Sequence, residues 1–229
     1  MTEARPSPPI QATTVALIPA YNCAEALGGV LSSLSTQGLD IIVVDDGSSD
    51  GTPEVATAGG ARLIRHRENR GKGAALRTGF QCALDLGYGG VITLDADGQH
   101  DPSEIPAFLA RALHADLILG TRDRRGSAMP FHRRLSNWAT SAILMWRTGQ
   151  PVADSQTGFR YLARPLVAAV EFKTNRFQAE SEILIRASMA GFRFDEVAVA
   201  TIYTGEASQI RALRDSFNFA WLVAQSLFW

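Results

Sequence analysis

Cysteine is scarce in this chain of 229 residues: Cys23 and Cys82 stand far apart and form no CxxC or Cys/His ligand spacing. That excludes a disulfide framework and the usual zinc spacings, and two reduced thiols fit a cytoplasmic protein. Long apolar runs are missing too. No stretch reaches the roughly 20 apolar residues that span a bilayer as a helix. The leading MTEARPSPPIQATT has no apolar segment of the signal-peptide kind and reads as a disordered tail over residues 1–13. Excess charge is also absent. Lys and Arg number 22 against 23 Asp and Glu, so the net charge of −1 gives nucleic-acid binding no support. There is no GxSxG, and the four histidines form no HExxH, which removes the motifs of serine hydrolases and of zinc proteases.

What is present is a core-forming alternation. A hydrophobic content of 46% supports one domain over residues 14–229. Short β-branched runs at Thr14–Pro19, Asp40–Asp46, Ala61–His66, Gly89–Asp95 and Ala115–Thr121 read as strands. Helical patterns at Ala24–Leu34, Gly71–Leu86 and Pro102–Leu113 separate them. This spacing predicts an α/β fold, a mainly parallel sheet with helices on both faces. After residue 122 the rhythm changes, which suggests a nucleotide-binding half (14–122) and an acceptor or specificity half (123–229). The second half reads as a helix at Leu135–Thr148, a polar loop ADSQTGFR, and helices near Arg164–Val170 and Ala179–Ala190. A strand-like run at Phe192–Tyr203 and a terminal helix from about Ile210 follow.

In parallel sheets the ligand lies beyond the carboxyl ends of the strands. Four predicted strand ends are polar: Pro19-Ala20-Tyr21-Asn22, Asp45-Asp46-Gly47, Asp95-Ala96-Asp97 and Gly120-Thr121-Arg122. Asp95 and Asp97, one residue apart past a buried strand, can offer oxygen ligands to Mg²⁺ or Mn²⁺; a plain acidic turn is the alternative. An EF-hand is excluded, because its glycine position holds His100 and its bidentate-Glu position Pro106. In VVDDGSSDGT a carboxylate can accept from a base N–H or a ribose hydroxyl, while Ser49 or Asp50 can cap a helix. Asn69-Arg70-Gly71-Lys72-Gly73 suggests phosphate binding at a helix N-terminus, yet it matches neither the P-loop nor the dinucleotide fingerprint. The glycines can equally serve close packing. Arg122, Arg124, Arg125, Arg133 and Arg134 form the one strong basic cluster, suited to phosphate.

In their joint order, IPAYN, VVDDGSSDGT, NRGKGAALRTGF, LDADGQHDP, GTR, DSQTGFR, ESEIL and TIYTGEAS resemble the family-2 glycosyltransferases of GT-A fold. The closest likeness is to the polyprenyl- or dolichyl-phosphate mannose and glucose synthase branch, over about residues 15–215. The resemblance implies a metal-dependent, inverting transfer of one sugar from a GDP- or UDP-hexose to a polyprenyl phosphate. Position by position it implies that Pro19, Tyr21, Val44 and Asp46 surround base and ribose. Lys72 and Ala96 would belong to the nucleotide-sugar site. Asp95, Asp97 and Gln99 would hold the divalent cation and the diphosphate. Arg122, Arg133 and Asn137 would bind donor or acceptor phosphate. Asp97, Arg122, Asp154 and Glu180 would be the catalytic set, and Glu182 matches the family's acidic segment. Cys23 stands where the family often has Glu, and the QxxRW motif of processive synthases is absent.

A hydroxyl acceptor is the first alternative, and it requires a carboxylate base such as Asp154 or Glu180. A sugar-nucleotidyltransferase would open with a glycine-rich first loop, where this chain has PAYN; a non-catalytic binding module would release no nucleoside diphosphate. The C-terminal FNFAWLVAQSLFW is too short to span a bilayer. It fits a helix packed on the domain or on a second subunit, or an interfacial segment placing the protein on the cytoplasmic face of a membrane.

Overall fold

The computed structural model describes residues 10–122, 131–176, 178–200, 202 and 212–229, with backbone alone at 11–12, 131–135 and 212–217. Within the span read as a tail, Ile10–Thr13 forms a 3₁₀ turn; residues 1–9 lie outside the described residues.

Among the described residues, seven strands form one sheet in the order β3-β2-β1-β4-β6-β5-β7. They are β1 (Thr14–Ala20), β2 (Asp40–Asp45), β3 (Arg62–Arg65), β4 (Gly90–Thr93), β5 (Leu117–Arg122), β6 (Arg160–Ala163) and β7 (Phe194–Val199). The β1–β2, β1–β4, β2–β3 and β5–β7 pairs are parallel, as the alternation predicts. β6 runs antiparallel between β4 and β5 and escaped the sequence reading. It is only four residues long, follows a polar loop and opens with an arginine, so no period of two is visible. β6 and β7 join the sheet begun by the first half, so the two halves share one sheet.

Strands β1, β2, β4 and β5 are largely buried on both faces, which is why they read as continuous apolar runs. Val15 and Leu17 of β1 face one core and Ala16 and Ile18 the other. The first core is covered by α3 (Lys72–Asp85), α5 (Phe131–Thr148), α6 (Arg164–Ala169), α7 (Gln178–Met189) and α8 (Ala212–Ser226). The second is covered by α1 (Ala24–Ser35), α2 (Thr52–Ala58) and α4 (Ile105–Arg111). The pattern at Pro102–Leu113 is split, since Pro102–Glu104 forms a 3₁₀ turn, capped by Asp101, before α4 begins. α2 is a seven-residue helix hidden in the sequence by the turn residues before it; its N-cap is Gly51, while Asp50 accepts from Thr52 N and from Ala24 N of α1.

Candidate functional site

The polar strand ends converge on one rim of the sheet, and their loops are laced together. Past β1, Asn22 adopts a positive φ of 47°. Its backbone N–H donates to Ser48 Oγ (2.9 Å), and its side-chain oxygen accepts from Ser49 N (2.9 Å). Cys23 N donates to Thr52 Oγ1, so PAYN and DDGSSDGT form a single wall. Tyr21 is exposed on this wall and Pro19 is half-buried, whereas Val44 is wholly inside the core. Val44 therefore supports the wall from beneath and offers no surface to a ligand.

Both aspartates at the end of β2 are engaged by protein groups. Asp45 accepts from Ser48 N (3.0 Å) and pairs with Arg65 Nε at 3.1 Å. Asp46 accepts from Arg70 N, Gly71 N (2.7 Å) and His66 Nδ1 (2.6 Å), and His66 Nε2 meets Thr78 Oγ1. Expected at the ribose, Asp46 is buried and its observed bonds fasten the loop that leads into α3.

That loop also explains the glycines. A Cβ on Gly71, at φ +96°, would come 2.2 Å from Asn175 O, and one on Gly73 would come 2.4 Å from Thr174 O. The N–H of Gly73 donates to Asn175 O (2.8 Å), so a protein carbonyl occupies the α3 N-terminus where a phosphate was expected. The glycines serve close packing. Arg77 of α3 and Glu182 of α7 grip the same 172–175 segment through its carbonyls and N–H groups. Glu182 is thereby a structural brace.

The packing delivers Lys72 to the acidic pair. Its Nζ lies 2.5 Å from Asp95 Oδ1 and 3.0 Å from Glu180 Oε1, while His100 Nε2 is 3.6 Å from Asp95 Oδ2. Burial opposes the charge on Lys72, but Asp95 and then Glu180 outweigh it and hold the ammonium above the usual lysine value. Asp95 is pushed up by burial and drawn far below the carboxylate range by Lys72 and His100. Asp97 differs. One oxygen accepts from Gln99 N (3.0 Å), the other has no protein hydrogen bond among the described residues, and burial followed by the Asp95 charge raises its pKa. Ala96 between them is buried, and the Gln99 carbonyl accepts from Ile202 N.

The described residues contain no three-member His, Cys, Asp or Glu group ready to hold a metal. Asp97 nevertheless fits a hard cation, since no positive group among the described residues is in direct contact with its carboxylate. Mg²⁺ is commonly held by one or two carboxylates with substrate phosphates and water completing the shell.

A second constellation stands at the end of β5. Arg122 Nε donates to Asp154 Oδ2 (2.6 Å) and its Nη2 to Asp154 Oδ1 (3.0 Å); Asn137 Nδ2 on α5 adds 2.9 Å to Oδ1. Asp154 is 1% exposed, and although burial raises its pKa, the Arg122 bond and charge lower it overall. A buried, fully engaged carboxylate held in its charged form is a poor proton acceptor. Expected in the catalytic set, Asp154 is instead the bracket that fixes Arg122. Arg133 stands on the first turn of α5 where only backbone is described, and Arg124 and Arg125 lie outside the described residues, as does most of TIYTGEAS.

Two contributors escaped the sequence reading. Gly158 packs on the acidic pair so closely that a Cβ would meet Asp95 Oδ2 at 2.3 Å. Arg160, buried at the start of β6, donates to the carbonyls of Thr157 (2.8 Å), Ser155 (2.9 Å) and Glu180 (3.0 Å). It ties the Asp154–Phe159 loop to α7. Nothing in the one-dimensional pattern distinguishes either from an ordinary loop residue.

These charges predict an acid limit. Asp95, Asp154 and Glu182 all have depressed pKa values in the fold. Their stabilisation is complete above the unfolded carboxylate value, about pH 4, and is lost as pH falls through the folded values. Asp97, being raised, acts with the opposite sign, and Lys72 loses its contribution only above the ordinary lysine range. The urea midpoint is expected to fall steeply below about pH 4; a midpoint flat down to about pH 2 would contradict these pairings.

The chain's likeness to known proteins agrees with this geometry. The sequence model of Glycosyl transferase family 2 matches residues 15–186. An undecaprenyl-phosphate mannosyltransferase of Micrococcus luteus is 33% identical over 201 residues, covering 81% of this chain and 82% of that one. A UDP-N-acetylglucosamine–dolichyl-phosphate N-acetylglucosaminyltransferase of Methanococcus voltae is 30% identical over 213 residues, covering 82% and 85%. Glucosyl-3-phosphoglycerate synthase from Mycobacterium tuberculosis, crystallised with Mg²⁺ and uridine diphosphate, superposes with a TM-score of 0.71 at 24% identity, over 94% of this chain and 78% of that one. At that identity the superposition speaks for the fold, a mixed sheet of the GT-A kind. By its sequence, its sheet and its motif order, the chain belongs to glycosyl transferase family 2 and is a glycosyltransferase.

Proposed function

We propose that the enzyme moves one hexose from a nucleoside diphosphate sugar to a polyprenyl phosphate, with inversion and with a divalent cation. One observation carries this reading. The loop Asp154–Phe159 touches both constellations, Arg122 through Asp154 and Asp95 through Gly158. Four residues span at most about 14 Å, so the loop keeps the two within reach of one sugar flanked by a diphosphate and an acceptor phosphate. The relatives whose names specify dolichyl or undecaprenyl phosphate support that acceptor class.

In this reading Tyr21 and Pro19 border the base, and Asp46 acts through the loop it fastens. Asp97, with Gln99, would hold the cation, whose chemistry is to neutralise charge on the departing diphosphate. Arg122 and Arg133 supply positive charge for the acceptor phosphate, and Asn137 helps hold the Asp154 carboxylate that orients Arg122. An acceptor oxygen forms the new bond to the anomeric carbon while the bond to the diphosphate oxygen breaks on the opposite face. The acceptor phosphate is already anionic at neutral pH, so no carboxylate base is required. Positioning and fixed charge do the work.

The same acceptor implies a lipid surface, and α5 presents one side suited to it. Asn137, Ser141 and Leu144 turn inward, while Trp138, Met145 and Trp146 lie exposed at i, i+7 and i+8, with Trp146 73% exposed. No helix among the described residues is long and apolar enough to cross a membrane. Exposed aromatic side chains suit a membrane interface, and the basic residues that the sequence places between Arg122 and Arg134 would favour an anionic one.

The test is a screen of GDP- and UDP-hexoses for nucleoside diphosphate release, with polyprenyl phosphate in anionic vesicles and with Mg²⁺ or Mn²⁺, omitting each in turn. Release is expected only when donor, lipid phosphate and cation are together, with the enzyme sedimenting on the vesicles. Transfer to a sugar hydroxyl and none to the lipid would overturn the acceptor. Full turnover in excess chelator would overturn the cation.

A further inference from the structure

We propose that Lys72 is a built-in counter-cation that makes divalent-cation binding conditional on the nucleotide. The inference rests on Asp97 as a cation-holding group and adds a regulation to that site. Lys72 Nζ sits between Asp95 Oδ1 at 2.5 Å and Glu180 Oε1 at 3.0 Å, and His100 approaches the second oxygen of Asp95 at 3.6 Å. The carboxylate a metal would share with Asp97 is thus already neutralised from inside the protein.

The arrangement is built into the chain. Gly71 and Gly73 let the 174–175 segment close over the start of α3, and Gly158 lets its loop cross the Asp95 carboxylate; a Cβ at any of the three would fall within 2.4 Å of a neighbouring atom. Asp46 fastens the loop immediately before Lys72 through the N–H groups of Arg70 and Gly71. Lys72 therefore has no easy retreat.

A divalent ion arriving alone would share this half-buried space with a fixed ammonium. Like charges repel more strongly here than in water, because the surroundings are less polarisable. A diphosphate brings negative charge of its own, which offsets lysine and metal together. Cation and nucleotide should then bind as a pair, each weak without the other, as linkage requires.

The experiment is a Mn²⁺ titration of the full chain by calorimetry, with and without saturating GDP or UDP. Wild type is expected to bind Mn²⁺ at least tenfold more tightly with the nucleotide than alone. Lys72→Met should bind Mn²⁺ alone at least tenfold more tightly than wild type, and Lys72→Arg, which keeps the charge, should behave as wild type. Should Lys72→Met not fold, the double variant Lys72→Met/Glu180→Gln, which removes one charge of each sign, carries the same prediction. An unchanged Mn²⁺ affinity in Lys72→Met, with nucleotide-dependent binding intact, would overturn the role of Lys72 and leave the cation site standing. Tight binding by wild type without nucleotide would overturn it equally. No Mn²⁺ binding under any condition would remove the cation site and this inference with it.

Discussion

Asp97→Asn is expected to lower turnover about a thousandfold and leave the fold intact. The lost stabilisation of charge on the leaving diphosphate is several kcal/mol, and each ~1.4 kcal/mol is a factor of ten in rate. The fold should survive because among the described residues Asp97 makes one hydrogen bond, accepting from the N–H of Gln99, and an asparagine oxygen can accept it. Asparagine also relieves the repulsion from Asp95 that raises the Asp97 pKa, so the thermal midpoint should hold or rise. Steady-state release of nucleoside diphosphate, measured beside a melting curve, checks both halves. Near-normal turnover would end the assignment of Asp97 to the cation.

Asp154→Ala is expected to damage stability and activity together, by about 3–5 kcal/mol in unfolding free energy. The buried carboxylate takes two N–H groups of half-buried Arg122, the amide of buried Asn137 and Gln156 N. Removing it leaves the half-buried Arg122 guanidinium and the buried Asn137 amide without their acceptor, and the loss is a large part of the 5–15 kcal/mol typical of a domain. Asp154→Asn should cost less stability but still loosen Arg122, so its kcat should fall more than its melting point suggests. Denaturant unfolding and kcat of the two variants, read together, separate a bracket from a proton acceptor. A base would show a pH–rate limb that vanishes in Asp154→Asn, whereas a bracket would not.

Glu180 and Glu182 show where pattern alone stops. They are two residues apart on one helix and were indistinguishable by type, yet Glu180 faces Lys72 and Glu182 braces residues 173–174. Likewise NRGKG has the composition of a phosphate loop. Its glycines are instead required by carbonyls more than one hundred positions later in the chain. A long-range steric demand leaves no local trace.

The sequence by itself determined the α/β class, the first five strands, and the polar loops that follow four of them. Strands buried on both faces must be apolar throughout, and a loop past such a strand stands out by contrast. Motif order was enough to carry the family. The tertiary structure alone decided which side chain meets which. It inserted β6 between β4 and β5, brought Lys72 to Asp95, set Gly158 on the same carboxylate, and placed Asp154, expected in the catalytic set and a candidate base, against the Arg122 guanidinium. Those pairings depend on distances between residues remote in sequence, and only the packed sheet and its helices set such distances.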